Sequence, residues 1–480
     1  MSRPRKWQAT GWRPDPGSSK PLYRQVYERF RGAIRAGVLR PGERLPSARS
    51  FAIQLGAARG TVDLAYSLLA GEGYIASRGA AGTFVAPGLT TAPQRRLRRA
   101  KEGSTGSLVP LNVPGTAAIA PLQMGVPALD AFPRALWCRL CARHARTLAV
   151  ETMIGSHPAG YAPLREAVAS YLTVSRGIRC HAGQVIITSG FQGALGLLTR
   201  VFLQPGDEVW FEEPGYFFAR DALEAVGARV VPTPVDSEGL DVEEAVNRAP
   251  RARFAYVTPA HQAPLGISMT LPRRLALLSW ATRSNAWIIE DDYDSEFRYG
   301  SRPLPALKSL DEAGRVLYVG TFSKVLFPGL RLGYVLVPER EVDRVRRMSQ
   351  LLQGGGPMFM QAVVADFIYG GHFSRHIRRM RMLYEQRRAS LANALTEVFQ
   401  DRLTLQLQAG GMHLIGRSPT QQDDRAMVAR AKAQGLAPAA LSGWYADRKR
   451  SEPGILLGFT NIASEHALDV ATRLRRAMQL

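Results

Sequence analysis

Cysteine is nearly missing from this chain: three thiols, Cys138, Cys141 and Cys180, stand among 480 residues. That is too few for a disulfide framework. Cys138-Arg-Leu-Cys141 has the spacing of a metal-ligand pair, yet no second pair follows, so two thiols in a helical, apolar stretch are the better reading. A reducing, cytoplasmic setting is expected. No apolar run approaches the roughly 20 residues needed to cross a bilayer. The basic start, Met1-Ser-Arg-Pro-Arg-Lys-Trp7, lacks the apolar core of a secretory signal. No internal repeat is present. Acid is scarce as well: 40 Asp+Glu face 62 Lys+Arg, a net charge of +22. Such a balance suits a polyanionic partner only if some element can read one, because arginine-rich coding alone makes chains basic. What remains is ordinary for globular protein, 46% hydrophobic and 21% charged, with length enough for two to four domains.

The reading element is sought near the start. Residues 1–20 are polar and carry Pro and Gly; they are expected to be loose. Leu22, Val26, Phe30 and Ile34 then recur every four residues, one amphipathic helix ending near Gly37. Turn chemistry at 39–46 leads to Ser47, an N-cap for a second helix through Leu55, and Gly56 breaks it. A third helix is expected from Arg59 to Ala70, with Val62, Ala65, Tyr66 and Leu69 on one face. Residues 71–75 and 82–86 read as two short strands around a Gly-rich tip. Three helices and a hairpin make a winged helix-turn-helix, whose helix start can meet base edges in the major groove. The residues Gly42-x-Arg44-Leu-Pro-Ser47-x-Arg49, Arg59-x-Thr61-Val62, Ala65-Tyr66-x-x-Leu69-x-x-Glu72-Gly73-Tyr74-Ile75 and Gly82-Thr83-Phe84-Val85 closely resemble the GntR family of bacterial transcription regulators. The resemblance covers 21–86. It implies contacts to double-stranded DNA from Arg49, Arg59 and Thr61 and from the wing at Arg78 and Gly79. Ala58 departs from it, standing where the family usually has a capping Ser, at a cost of about 1 kcal/mol of helix stability.

Residues 87–114 read as a linker, with a basic run from Arg95 to Lys101. From 115 to 480 the composition is that of an α/β protein. Apolar runs of strand length (185–188, 208–211, 254–257, 286–289 and 316–319) alternate with helical stretches such as 193–203 and 273–282. Such alternation argues for a mostly parallel central sheet covered on both faces, followed by a smaller, helix-rich C-terminal α+β subdomain.

The strand ends carry the chemistry. After the run ending at Gly320 come Thr321-Phe-Ser323-Lys324 and, past a Pro328-Gly329 turn, Arg331. A lysine between hydroxyls and a turn-borne arginine suits one kind of chemistry. The amine forms a Schiff base with an aldehyde cofactor whose phosphate the hydroxyls and guanidinium hold. Thr188-Ser-Gly190-Phe191-Gln192 follows a strand and opens a helix, offering backbone N–H groups to a phosphate. Tyr216 could stack on an aromatic ring. His261 and Gln262 lie in a Pro/Gly loop where either could hydrogen-bond a phenolic oxygen. The acids from Glu290 to Glu296 would be costly if buried unpaired, so a cationic partner is expected: a protonated pyridine nitrogen or, alternatively, a metal.

Together these pieces resemble the fold-type I aminotransferases, which bind pyridoxal 5′-phosphate; the resemblance covers about 115–480. It implies Lys324 as the Schiff-base lysine and Asp291 as the pyridine-nitrogen partner. Tyr293 and Gln262 would be partners of the phenolic oxygen, and Tyr216 the stacking residue. Gly190, Phe191, Gln192, Thr321, Ser323 and Arg331 would form the phosphate cradle. Tyr161 would reach the phosphate of a neighbouring subunit, hence a domain-swapped homodimer. A GntR-type reader ahead of such a domain resembles the MocR subfamily of regulators, which the segments 290–299 and 372–381 match well. The subfamily implies gene control through DNA affinity that the cofactor, or its adduct with an amine or amino acid, modulates. A working aminotransferase with an accessory DNA-binding domain is the alternative. Against it, the expected last strand, 454–459, has no arginine to clasp a substrate carboxylate; Arg448, Lys449 and Arg450 lie just upstream.

Overall fold

The computed structural model describes residues 12–87 and 119–479, apart from 148–149, 151–152, 154, 156, 300–304 and 420–422. The chain divides into two compact units, Met1–Gly115 and Thr116–Leu480. Most of the expected linker lies outside the described residues, as does the first half of the segment expected to be loose. Residues 12–20 are tied down: Asp15 and Gln25 exchange hydrogen bonds of 2.9 and 3.2 Å, and Trp12 packs against the first unit's core.

In the first unit, α1 (Leu22–Arg35) buries Val26, Tyr27, Phe30 and Ile34 at the spacing of one helix face. The Ser47 hydroxyl accepts from the Ser50 N–H at 3.1 Å and starts α2 (Ala48–Leu55); Gly56, at φ +62°, stops it. In α3 (Arg59–Gly71) Ala58 offers no capping bond. Phe30 sits at the centre, edge-on to Phe51 at 5.1 Å and Tyr66 at 5.4 Å. The hairpin is shorter than expected: β1 (Ile75–Ser77) pairs with β2 (Thr83–Val85), Ile75 opposite Val85. Helix takes Gly71, and Gly73, at φ +77°, turns the chain, so pairing starts only at Ile75.

The second unit is built on an eight-stranded sheet. Its strands are β3 (Val185–Thr188), β4 (Glu208–Glu213), β5 (Arg229–Asp236), β6 (Gly239–Leu240), β7 (Phe254–Val257), β8 (Trp287–Asp292), β9 (Val316–Thr321) and β10 (Gly333–Leu336), in the order β3-β10-β9-β8-β7-β4-β5-β6. Strands β9, β8, β7, β4 and β5 run parallel. Strand β10 runs antiparallel between β9 and β3. Strands β3, β7 and β8 are buried throughout, as expected where helices cover both faces. Helices Gly190–Phe202 and Val342–Leu352 contribute to the apolar core on one side, and Leu271–Arg283 to a second core. A second sheet, β11 (Thr404–Gln406), β12 (His413–Arg417), β13 (Ala439–Ala440) and β14 (Ile455–Gly458), is antiparallel in the order β11-β12-β14-β13. The 28-residue helix His372–Phe399 packs beside it, burying Phe373, Ile377, Met380, Tyr384, Arg387 and Leu391 three or four residues apart.

Register gathers the site. Gly333 of β10 lies opposite both Thr188 and Thr321, the last residues of their strands. Asp291 lies opposite Val319, and Val257 opposite Glu290. The ends of β3, β7, β8 and β9 therefore share one edge, the usual ligand-binding edge of an open α/β sheet.

Candidate cofactor site and DNA-reading head

Lys324 follows β9 and is half-buried. Its Nζ donates to the Gly125 carbonyl at 2.9 Å. Gly125 has φ +68°, which favours glycine, and a Cβ there would sit 2.3 Å from Nζ, so a larger residue would push the amine aside. Burial holds the amine below the usual lysine range, against the pull of Asp294 and Asp291. An amine so depressed is more often neutral and nucleophilic.

Asp291 lies on β8. Its Oδ2 accepts from the Tyr256 hydroxyl at 2.5 Å; its Oδ1 is buried with no partner among the described residues. The carboxyl is pushed up to about 7 by burial, with Asp292 and Glu212 adding, against the Tyr256 hydrogen bond and the charge of Lys324. Geometry gives the metal alternative no support among the described residues. Neighbouring β8 acids point to other partners: Glu290 accepts from the Leu307 and Lys308 N–H groups at 2.8 and 2.7 Å, and Asp292 pairs with Arg176 at 2.6 Å. Among the described residues no three His, Cys, Asp or Glu side chains are grouped to hold an ion.

Tyr293 places its hydroxyl 3.0 Å from His261 Nδ1. Tyr216 immediately precedes helix Phe217–Ala225, its ring 5.7 Å from Phe191 and 5.8 Å from Trp444. Gly190, at φ +75°, begins the helix Gly190–Phe202. A Cβ on Gly333 would lie 2.9 Å from the Gly320 carbonyl and 3.1 Å from Gly190 Cα; its absence lets the helix start and the strands converge. Arg331 holds φ +52° without being glycine, a conformation that costs about 1 kcal/mol or more. Its Nη2 donates to Gln192 Oε1 at 2.8 Å, joining the loop after β9 to the helix start. The Ser323 N–H donates to Thr321 Oγ1 at 3.2 Å. Tyr161 is pinned to its own unit, its N–H donating to Gln361 at 2.8 Å.

Gln262 is placed differently from expectation. Its amide donates to Glu212, to the Pro214 carbonyl at 2.8 Å and to the Ala263 carbonyl at 2.9 Å, and accepts from the Leu265 N–H. Its polar atoms are spent bracing its own loop. Ala263 lies in an apolar cluster against which Tyr216 and Tyr293 pack. Sequence reasoning also missed Tyr256, which reads as a mid-strand core residue, and Gly125, which lies 199 positions from Lys324 and carries no motif.

No arginine stands on β14, which is wholly buried. Arg387, whose Nη1 donates to the Thr460 carbonyl just beyond that strand, is committed to Asp130. Arg450 leans on Asp447 at 3.7 Å and lines a cleft of about 1050 Å³ with Glu213, Asp236, Arg248 and Tyr445. In the first unit, Arg49 and Arg59 are exposed near the starts of α2 and α3, and Thr61 is half-buried. Arg59 pairs with Asp63 at 3.2 Å. Arg78 and Gly79 are exposed at the hairpin tip, with Arg78 lying 5.0 Å over the Phe84 ring.

The family described as bacterial regulatory proteins, gntR family, matches residues 22–85, and aminotransferase class I and II matches 142–436. A probable rhizopine catabolism regulatory protein, MocR, of Rhizobium meliloti is 38% identical over 477 residues, covering 96% of this chain and 95% of the relative. The chain belongs to the MocR type of GntR-family transcription regulators. A second relative, the HTH-type pyridoxine biosynthesis transcriptional regulator PdxR of Corynebacterium glutamicum, is 32% identical over 91% of both chains. The kynurenine aminotransferase of Pyrococcus horikoshii, solved with PMP, shares 29% identity and the fold at a TM-score of 0.69, over 76% of this chain and 91% of that one. This MocR-type chain is thus a transcription regulator with a GntR-type DNA-binding head and a fold-type I, aminotransferase-like domain. MocR and PdxR, matched over at least nine-tenths of this chain, are named as regulators, so a working aminotransferase is the weaker reading. No described helix is long and apolar enough to cross a membrane.

Proposed function

We propose that this regulator binds pyridoxal 5′-phosphate at Lys324 and that the cofactor, alone or joined to an amino compound, sets its affinity for promoter DNA. One observation carries the reading. Asp291 is a buried carboxyl whose bare oxygen has no cation in ion-pairing reach among the described residues, on the same sheet edge as a lysine of depressed basicity. A protonated pyridine nitrogen is the partner that such an oxygen lacks, so the residues present fit the group. When bound, the cofactor supplies an aldehyde that condenses with amines and a ring that draws electrons. Lys324 would hold its aldehyde carbon and Asp291 its ring nitrogen. Tyr293 would donate to the phenolic oxygen, and Tyr216 would cover one ring face. The Gly190 helix start with Phe191 and Gln192, the Thr321 and Ser323 hydroxyls and Arg331 would hold the phosphate. Tyr161 would reach the phosphate of a second copy in a domain-swapped homodimer. Gln262 braces the loop and has no ring contact in this reading.

Arg49, Arg59, Thr61, Arg78 and Gly79 would meet DNA in the cytoplasm, on the chromosome. An effector that binds two arrangements of the protein unequally shifts DNA affinity by that difference, typically about 1–3 kcal/mol. Turnover of ordinary α-amino acids is not expected, since β14 has no arginine for their carboxylate. Borohydride reduction of protein incubated with the cofactor, followed by peptide mapping, tests the assignment. The label is expected on Lys324 and absent from Lys324→Ala, which still binds DNA through its head. A wild type that stays colourless and unlabelled overturns the reading. Gel shifts with and without cofactor and a panel of amines, beside a transamination assay, separate regulator from enzyme.

A further inference from the structure

Tyr293 does not meet the site alone. His261 Nδ1 lies 3.0 Å from the Tyr293 hydroxyl and 3.1 Å from Asp294 Oδ1. The two contacts compete for one ring nitrogen, and chemistry decides between them. With the Asp294 oxygen as acceptor, the hydrogen sits on Nδ1. Nδ1–H then serves two oxygens, and the Tyr293 oxygen is an acceptor on that side. The phenol's own hydrogen must point elsewhere. With the opposite tautomer, Nδ1 would take that hydrogen for itself.

The ring is also fixed in place. A Cβ on Gly411 would lie 2.0 Å from His261 Cε1, and one on Gly266 would lie 2.9 Å from Nε2. Nε2 is buried without a partner among the described residues. Around this group stand Asp294 and Tyr293 from the segment after β8 and His413 from β12, its ring centroid 6.0 Å away. The charge of Asp291 bears on Tyr293, and that of Asp294 on Lys324. His413 Nε2 donates to the Pro264 carbonyl at 2.8 Å.

We infer that His261 and Asp294 are positioning residues. Asp294 locks the Nδ1–H tautomer of His261, which leaves the Tyr293 hydrogen free to be delivered to an acceptor in the site. The inference rests on the cofactor reading above, in which that acceptor is the phenolic oxygen. Since Gln262 is spent on its loop and Ala263 brings only a methyl, Tyr293 is the side-chain donor assigned to that oxygen, and its aim carries weight. With the cofactor held at Lys324, a donor at its phenolic oxygen would stabilise negative charge there and lower the pH at which the loaded protein changes colour.

The test is an absorbance titration of the cofactor-loaded full chain. Asp294→Asn can turn its amide N–H toward Nδ1 and so favour the wrong tautomer, the same logic by which an Asn in place of a triad Asp disables its histidine. It is expected to raise the colour midpoint by about one pH unit, close to the shift of Tyr293→Phe. His261→Phe, which takes no hydrogen from Tyr293, is expected to shift it much less. In a Tyr293→Phe background Asp294→Asn should add nothing. An unchanged midpoint in Asp294→Asn, or an equal shift in that background, overturns the inference while leaving the cofactor assignment standing. A wild type that takes up no cofactor overturns the assignment itself. Should Asp294→Asn fail to fold, histidine ¹⁵N spectra of the wild type decide: a protonated Nδ1 on His261 supports the lock, and a bare Nδ1 removes it.

Discussion

Asp291 and Asp292 are neighbours on one strand and live by different rules. Side chains alternate across β8, so the two carboxyls enter opposite layers. Asp292 meets Arg176 at 2.6 Å and accepts from the Tyr318 hydroxyl at 2.6 Å. Asp291 meets a tyrosine and, among the described residues, no ion-pair partner. One layer is finished by the chain itself; on the proposed reading the other is completed by the cofactor. Buried charge is tolerated where a counter-ion is built in, and where none is built in the gap points to a ligand.

That contrast can be broken from the finished side first. Arg176→Met should destabilise the unit by about 3–5 kcal/mol in urea unfolding, because it strands Asp292 beside Glu290 and Glu296. An unchanged midpoint would mean that Asp292 has another neutralising partner. From the waiting side, Asp291→Asn should weaken cofactor uptake roughly 10- to 100-fold, yet leave the unloaded protein at least as stable as the wild type. A large stability loss in unloaded Asp291→Asn would make this residue structural too, and the contrast would dissolve.

Acidity sharpens it. Burial pushes the Asp291 carboxyl up to about 7 from 3.8, and Glu290 and Glu296 up to about 7 from 4.5. A carboxyl raised on folding contributes stability that is fully present below its unfolded value and is lost as pH rises through its folded value. The unloaded unit should therefore lose stability between about pH 4 and pH 7, by roughly 1.4 kcal/mol for each pH unit that a carboxyl is raised. Cofactor loading should remove the Asp291 share and leave that of Glu290 and Glu296. Urea midpoints across pH, with and without cofactor, measure both. The smallest effect belongs to the head: Arg59→Ala should lower DNA affinity by roughly fivefold and flatten its salt dependence by about one ion, with cofactor uptake unchanged.

Much of this was legible in the sequence because it rests on local rules. The period of Val26, Phe30 and Ile34, the Ser47 cap and the Gly56 stop define α1 and α2 without tertiary help. Strand-length apolar runs located β3, β4, β7, β8 and β9, and their ends supplied Asp291, Thr321 and Lys324. Strand β10 was harder: four residues after a turn look like a continuation of the loop, and only pairing on both sides makes them a strand. Gln262 misled because a polar side chain in a site loop looks free until its partners, Glu212 and the Pro214 carbonyl, are seen from another strand. Gly125 was invisible because its role is to leave room for a distant side chain.

The bare oxygen of Asp291 also has a bearing on how long a copy of this regulator lasts. A fold that keeps an acid waiting stays below its full stability until its guest arrives, and a bound guest adds its own binding free energy to the folded state. Empty copies open more often and are the first to meet a protease. On the proposed reading, cofactor supply would then govern how much of the regulator a cell keeps, as well as what each copy does.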